Sequence, residues 1–407
     1  MRISQRAESI QESPIRKLAP LAAAARSRGT GIFYLNIGQP DVPTPPEFFR
    51  AVASFSEPVL AYGPSDGLPE LRRAMCEYFN RYGISLHESE ILIANGGSEA
   101  ILFAFNAVAD EGEEIIIPEP FYTNYNGYAE MANLKVVPVR THAEHGFHLP
   151  SDAELDAAVT SRTRAMLICS PNNPTGTVLT WAELERLAAF VQRHDLFLIA
   201  DEVYKEFTYD GERHRSVLEL PGIAERVIVV DSISKRFSAC GARVGAVISR
   251  NREVMAAILK FGQARLCPPT LEQIGAVAAY QLDEGYFETV RSEYQRRRDC
   301  MFEALTQDPG IVLKKPAGAF YMIVKMEGVA DSDDFAQWLL AEHQVNGETV
   351  MVAPAGGFYA TPGAGLDEVR MAYVLEVDKL HRAMTVFLEG LRRFRTLRRP
   401  AAAVGGR

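Results

Sequence analysis

Four short stretches of this chain carry side chains that could together handle a phosphorylated carbonyl compound. In the first, Ser232-Ile233-Ser234-Lys235 follows the apolar run VIVVD, and Arg243 comes shortly after the lysine. Two hydroxyls and a guanidinium suit a phosphate dianion, and the amine between them can form an imine with an aldehyde; alone, the tetrapeptide also fits a polar surface loop. In LIADEVY, Asp201 and Tyr204 stand at the end of another apolar run. The carboxylate could keep a pyridine nitrogen protonated and the phenol could donate to an ionised oxygen on the same ring; a capping aspartate and a core-rim tyrosine would read the same. The stretch SPNNPTG holds the amide of Asn173 in a loop stiffened by Pro171 and Pro174, although an ordinary turn could look alike. Finally, Asn95-Gly96-Gly97-Ser98 opens into the apolar segment AILFAFNAVA, where helix N-terminal N–H groups and the Ser98 hydroxyl could bind phosphate or simply cap the helix.

These stretches must be positioned by something, and the runs that precede them indicate what. Residues 114–118, 164–170, 196–200, 227–231 and 244–249 are short, apolar and bounded by turns, and they alternate with helix-like segments. That is the rhythm of an α/β domain built on a mostly parallel sheet, whose ligands gather beyond the carboxyl ends of the strands. Thr180 and Glu183 form a capping box for a helix with Leu184, Leu187, Ala188 and Val191 on one face. After about Arg291 the rhythm changes to a long charged helix, then a turn and a half-buried strand in KKPAGAFYMIVK, then helix and strand again. The expected division is an N-terminal arm and part of a small domain over 1–45, a large domain over 46–290, and a C-terminal α+β domain over 291–407. The tail PAAAVGGR is expected to be disordered.

Composition narrows the functional classes. With 407 residues, 47% of them hydrophobic, the chain can bury a large core. A net charge of -9 offers no general attraction for nucleic acid or anionic lipid. Its five cysteines are scattered without a C-x-x-C pair, which suits a reducing cytoplasm better than a disulfide framework or a zinc site. The N-terminus lacks the apolar core of a signal peptide, and no run is long and apolar enough to suggest a membrane span. Neither a backed H-x-x-x-H pair nor a G-x-S-x-G elbow is present, so metal catalysis and hydrolysis by a serine nucleophile find little support.

Taken in order, the four stretches resemble those of the fold type I aminotransferases that depend on pyridoxal 5′-phosphate, class I and II, the aspartate aminotransferase superfamily. Further matches are IGQPD around Gly38, AYGPSDGLPELR from Tyr62, PEPFYTNY around Tyr122, GAFYMIV around Phe320 and VRMAY around Arg370. The resemblance implies the family's large domain with a mostly parallel central sheet flanked by helices, plus a smaller α+β domain. It implies that Lys235 would hold the cofactor through an imine and shuttle the substrate proton, and that Asp201 would pair with the pyridinium nitrogen. Tyr204 and Asn173 would bond the ring's phenolic oxygen, and Tyr122 would stack on the ring. Gly97, Ser98, Ser232, Ser234 and Arg243 would bind the phosphate, joined by Tyr62 from a neighbouring subunit in a homodimer with shared sites. Arg370, with Asn173 and the backbone at Gly38, would grip the substrate α-carboxylate.

The activity so implied passes an amino group from an amino acid to a 2-oxo acid. Aspartate or glutamate is the expected donor if Arg265, in FGQARLCPPT, faces a distal carboxylate; Arg265 could equally be an interface ion pair. Some relatives that accept prephenate carry lysine where this chain has Ser98, a departure that weakens that substrate. Phe33, Tyr34, Phe121, Tyr125, Phe320 and Tyr321 could instead line an apolar pocket. A β-lyase on the same fold is the alternative reaction, and a cofactor-binding regulator without turnover is a more distant one.

Overall fold

The computed structural model describes residues 1–11 and 13–397. A seven-stranded sheet lies at its centre, in the spatial order Ile91–Ala94, Gly245–Ile248, Val227–Ser232, Phe197–Asp201, Thr163–Cys169, Glu114–Glu119, Lys135–Arg140. Only Gly245–Ile248 runs antiparallel to its neighbours. All five apolar runs noted above are strands of this sheet. Because helices cover both faces, the central strands are buried along their whole length save Phe197, which is half-buried. Period-two geometry divides their side chains: Ile228 and Val230 enter one core, Val227 and Val229 the other.

Local chemistry sets the helices between the strands. In Trp181–Arg193 the Thr180 hydroxyl accepts from the Glu183 N–H at 3.2 Å, and Glu183 accepts from the Thr180 N–H at 2.8 Å. The expected apolar face, Leu184, Leu187, Ala188 and Val191, is buried.

A second sheet of four antiparallel strands, in the order Ala353–Pro354, Glu368–Ala372, Tyr321–Met326, Ile311–Val312, shares a hydrophobic core with the long helices Glu284–Leu305 and Val377–Leu397. Tyr321–Met326 is buried on both faces rather than half-buried: Met322, Val324 and Met326 enter the main core, while Ile323 packs with Phe358 and Tyr359 in a small cluster on the other side. The N-terminal residues hold on to both regions. Gly31–Tyr34 pairs in parallel with Glu348–Met351, and Ala19–Ser27 packs on Ser332–Ala341. The first helix, Gln5–Ser9, instead reaches Asn124–Met131 beside the large sheet. The tail 400–407, expected to be disordered, lies outside the described residues.

Candidate active site

Five parallel strands deliver their carboxyl ends to one cleft of about 500 Å³. Asp201 ends Phe197–Asp201, Ser232 ends Val227–Ser232, and the segments after Thr163–Cys169, Ile91–Ala94 and Glu114–Glu119 bring Asn173, Gly97 with Ser98, and Tyr122. Gly245–Ile248 runs the opposite way, so the residues before it, Arg243 among them, reach the same edge. From the second sheet, Glu368–Ala372 contributes Arg370 and Tyr321–Met326 contributes Tyr321.

One corner of the cleft collects donors suited to an anion. Gly96 has φ +77°, and a Cβ there would collide with the Arg243 guanidinium. Arg243 itself takes a left-handed backbone, φ +54°, and its Nη1 donates to the Cys240 carbonyl at 2.8 Å. The Ser98 hydroxyl accepts from the Tyr128 hydroxyl at 2.7 Å. Ser232 Oγ lies 2.8 Å from Ser234 Oγ and accepts from the Ser234 N–H at 3.1 Å.

At the centre, Lys235 Nζ donates to the Gly38 carbonyl at 3.1 Å and stands 3.9 Å from Cys240 Sγ. Asp201 is buried; its carboxylate accepts from the Tyr125 hydroxyl at 2.7 Å and from the Val203 N–H at 3.3 Å. Burial pushes its pKa up to about 6, against the pull of the Tyr125 bond. The Tyr204 and Tyr321 hydroxyls are 3.0 Å apart, and burial raises the Tyr204 phenol well above its usual range. Tyr321 also explains Gly38, where any Cβ would run into the Tyr321 ring and hydroxyl.

Arg370 is buried between the Tyr321 and Phe358 rings, with its guanidinium carbon 4.6 and 4.8 Å from their centroids. Nη1 donates to Asn173 Oδ1 at 3.1 Å and Nη2 to the Asn36 carbonyl. Its Nε has no hydrogen-bond partner among the described residues. Burial lowers its pKa from the ordinary guanidinium value. Such a group is costly to leave without an anion.

The cleft thus gathers Gly38, Gly97, Ser98, Tyr122, Asn173, Asp201, Tyr204, Ser232, Ser234, Lys235, Arg243 and Arg370. Tyr62, expected to serve a neighbouring subunit's site, and Arg265 do not line the cleft of their own chain. Tyr62 is 80% exposed on the surface. Arg265 is held by Glu99 at 2.9 Å and by the Ser65 and Ile93 carbonyls at 2.9 and 3.3 Å, so its guanidinium is occupied as a brace and does not line the cleft of its own chain. Of the aromatic residues considered for an apolar pocket, Tyr125 and Tyr321 line the cleft through their hydroxyls, whereas Phe33, Phe121 and Phe320 belong to the core. Sequence reading passed over Tyr128, Cys240 and Arg16. A signal existed for Tyr128: Tyr122, Tyr125 and Tyr128 recur every third residue, leading into and along the helix Asn124–Met131, and so share a face.

An amine at the cleft centre, an anion corner at a helix N-terminus and a buried carboxylate held by the Tyr125 hydroxyl and the Val203 N–H define a site for a phosphorylated pyridine aldehyde. The residues fit that group: burial holds the Asp201 carboxyl protonated more tightly than usual despite the charge of Lys235, so a cationic ring nitrogen would suit it, and the glycine turn leaves room beside Arg243. The family model for aminotransferase class I and II matches residues 30–377. An aspartate aminotransferase of Pyrococcus abyssi is 35% identical, over 94% of this chain and 97% of its own. Aromatic-amino-acid aminotransferase 2 of Thermococcus litoralis is 34% identical over the same shares. The structure of Thermus thermophilus aspartate aminotransferase with maleate superposes with a TM-score of 0.86 at 31% identity, over 96% of this chain and all of that one. The chain belongs to the class I and II aminotransferase family. It is a pyridoxal-phosphate-dependent transaminase with the fold type I architecture.

Proposed function

We propose that this enzyme moves the amino group of an acidic amino acid to a 2-oxo acid, with the cleft residues dividing the work as follows. Bound pyridoxal phosphate supplies an electron sink for the pair left on the substrate Cα when its proton departs. Lys235 Nζ removes and returns that proton from its station beside the Gly38 carbonyl. Asp201 holds the ring nitrogen protonated, and the raised pKa of its carboxyl expresses the same need for a cation from the protein's side. Tyr204 and Asn173 orient the ring through its phenolic oxygen, and Tyr122 packs on its face. Gly97, Ser98, Ser232, Ser234 and Arg243 hold the phosphate. Arg370 takes the substrate α-carboxylate through the donor it leaves unfilled, with Asn173 and Gly38 alongside.

The observation that carries this reading is the convergence of Lys235, Asp201 and Arg370 on one space. Its test is Lys235→Ala, which should bind the cofactor without the visible band of the lysine-linked form and lose turnover by orders of magnitude; turnover near the wild-type rate overturns it. Incubation with an amino acid and 2-oxoglutarate separates transfer from β-elimination, since a lyase releases ammonia and pyruvate without glutamate.

An acidic donor is supported by the names of relatives called aspartate aminotransferases and by the maleate, a dicarboxylate, in the Thermus structure. A homodimer is supported by the surface around Tyr62. Val59, Leu60 and Tyr62 are 69%, 56% and 80% exposed, and Leu266, on the segment that Arg265 ties to Ser65, is 52% exposed. Apolar exposure gathered in this way marks an interface, from which Tyr62 would reach the neighbouring phosphate. The separate sheets support a division near residues 45 and 290 into arm, large and small domains. Free thiols at all five cysteines suit a reducing compartment such as the cytoplasm.

A further inference from the structure

Among the described residues, four cationic side chains line the cleft, Arg16, Lys235, Arg243 and Arg370, against a single carboxylate, Asp201. The functional reading uses three of the four: Arg243 for phosphate, Arg370 for the α-carboxylate and Lys235 for the carbonyl carbon. Arg16 is left over. Among the described residues its side chain makes no hydrogen bond or ion pair; its backbone N–H alone donates, to the Ser13 carbonyl at 3.0 Å.

Arg16 is nonetheless held in place by its neighbours. Pro14 packs where Gly357 has no side chain, since a Cβ there would collide with the proline ring. The Asn36 amide donates to the Ile15 carbonyl at 3.0 Å, and the Asn36 carbonyl accepts from Arg370. One residue therefore ties the strap that carries Arg16 to the guanidinium that takes the α-carboxylate. The backbone carrying Arg16 is anchored beside Arg370, and both cations border the same cleft.

We propose that Arg16 selects the substrate side chain: it pairs with a second carboxylate, so that the enzyme takes acidic amino acids and the matching 2-oxo diacids. This rests on Arg370 holding the α-carboxylate. The chemistry favours Arg16 over Arg265, whose guanidinium would have to give up Glu99 and two carbonyls before meeting a ligand. Among the described residues Arg16 has no side-chain partner to surrender, and as an exposed group it loses little hydration on pairing.

The test uses the purified, cofactor-loaded enzyme in the half-reaction with one amino acid and no acceptor, followed in the visible band of the bound cofactor. Arg16→Gln should lower the efficiency with aspartate and glutamate by roughly tenfold to a hundredfold, the span of a charge-assisted hydrogen bond, and change it by less than about twofold with alanine and phenylalanine. Arg16→Lys should restore part of the loss, since it returns the charge without the planar fork. Equal losses on acidic and neutral amino acids, or no loss on the acidic ones, overturn the assignment. Failure of the underlying reading looks different: the wild-type band would then respond to no amino acid at all.

Discussion

Asp201 offers the sharpest physical test, because the same burial that suits it to a cationic ring makes it unfavourable without one. Its pKa rises from 3.8 to about 6, a shift of roughly 2 units, or about 3 kcal/mol at 1.36 kcal/mol per unit. The folded carboxyl holds its proton more tightly than the unfolded one, so this stabilising contribution is full below about pH 3.8 and is lost as pH rises through about 6. At pH 8 the cofactor-free enzyme bears the whole cost, and Asp201→Asn, which cannot ionise, removes it. For a chain of 407 residues, an unfolding entropy near 2.1 cal/mol/K per residue converts about 3 kcal/mol into an increase in Tm of roughly 3 to 4 °C. With cofactor bound the order should reverse, because the wild-type carboxylate gains its pyridinium partner and the amide does not. Thermal melts of both proteins, stripped and loaded, at pH 5 and pH 8 measure this directly. Glu206 and Glu368, also raised to about 7 by burial, are common to both proteins and cancel in the difference. If stripped Asp201→Asn melts no higher than stripped wild type at pH 8, or if the cofactor stabilises both equally, the pairing of Asp201 with the ring nitrogen is refuted.

Two further outcomes follow from the geometry. Arg370→Lys keeps a charge but cannot serve Asn173, the Asn36 carbonyl and a carboxylate together, so kcat/KM should fall about tenfold to a hundredfold for acidic and neutral amino acids alike; a loss confined to acidic substrates would assign it to the side chain instead. Leu60→Glu tests the proposed homodimer: it puts a charge into the exposed apolar surface beside Tyr62 and should convert that dimer to monomer in sedimentation velocity, with activity falling in step; a variant that sediments as the wild type does would refute an interface at this surface.

The large sheet was legible because its signals are local. A buried parallel strand must be apolar throughout, and a capping box is complete within four residues, so VIVVD and Thr180-Glu183 declare themselves without knowledge of the rest. The second sheet was less legible: alternation could not reveal that Ile323 faces a small core of its own on the side expected to meet solvent. The anion corner, the lysine and Asp201 were readable as residue types placed after strands, since the topology of an open α/β sheet brings such ends together.

Residues alone therefore determined the family, the cofactor and the chemical types at the site, because these depend on short motifs that fix their own conformation. Which cations are free was decided only by tertiary structure. Arg265 and Arg16 are the same letter, yet folding places Glu99, Ser65 and Ile93 around the first and leaves the second bordering the cleft without a side-chain partner among the described residues. That difference is one of long-range neighbours: the brace on Arg265 comes from residues 166 or more positions away in sequence, and the strap carrying Arg16 is fixed through Asn36 to an arginine 334 positions further on. Side-chain partners at such separations are set by the packed fold, and no local pattern encodes them.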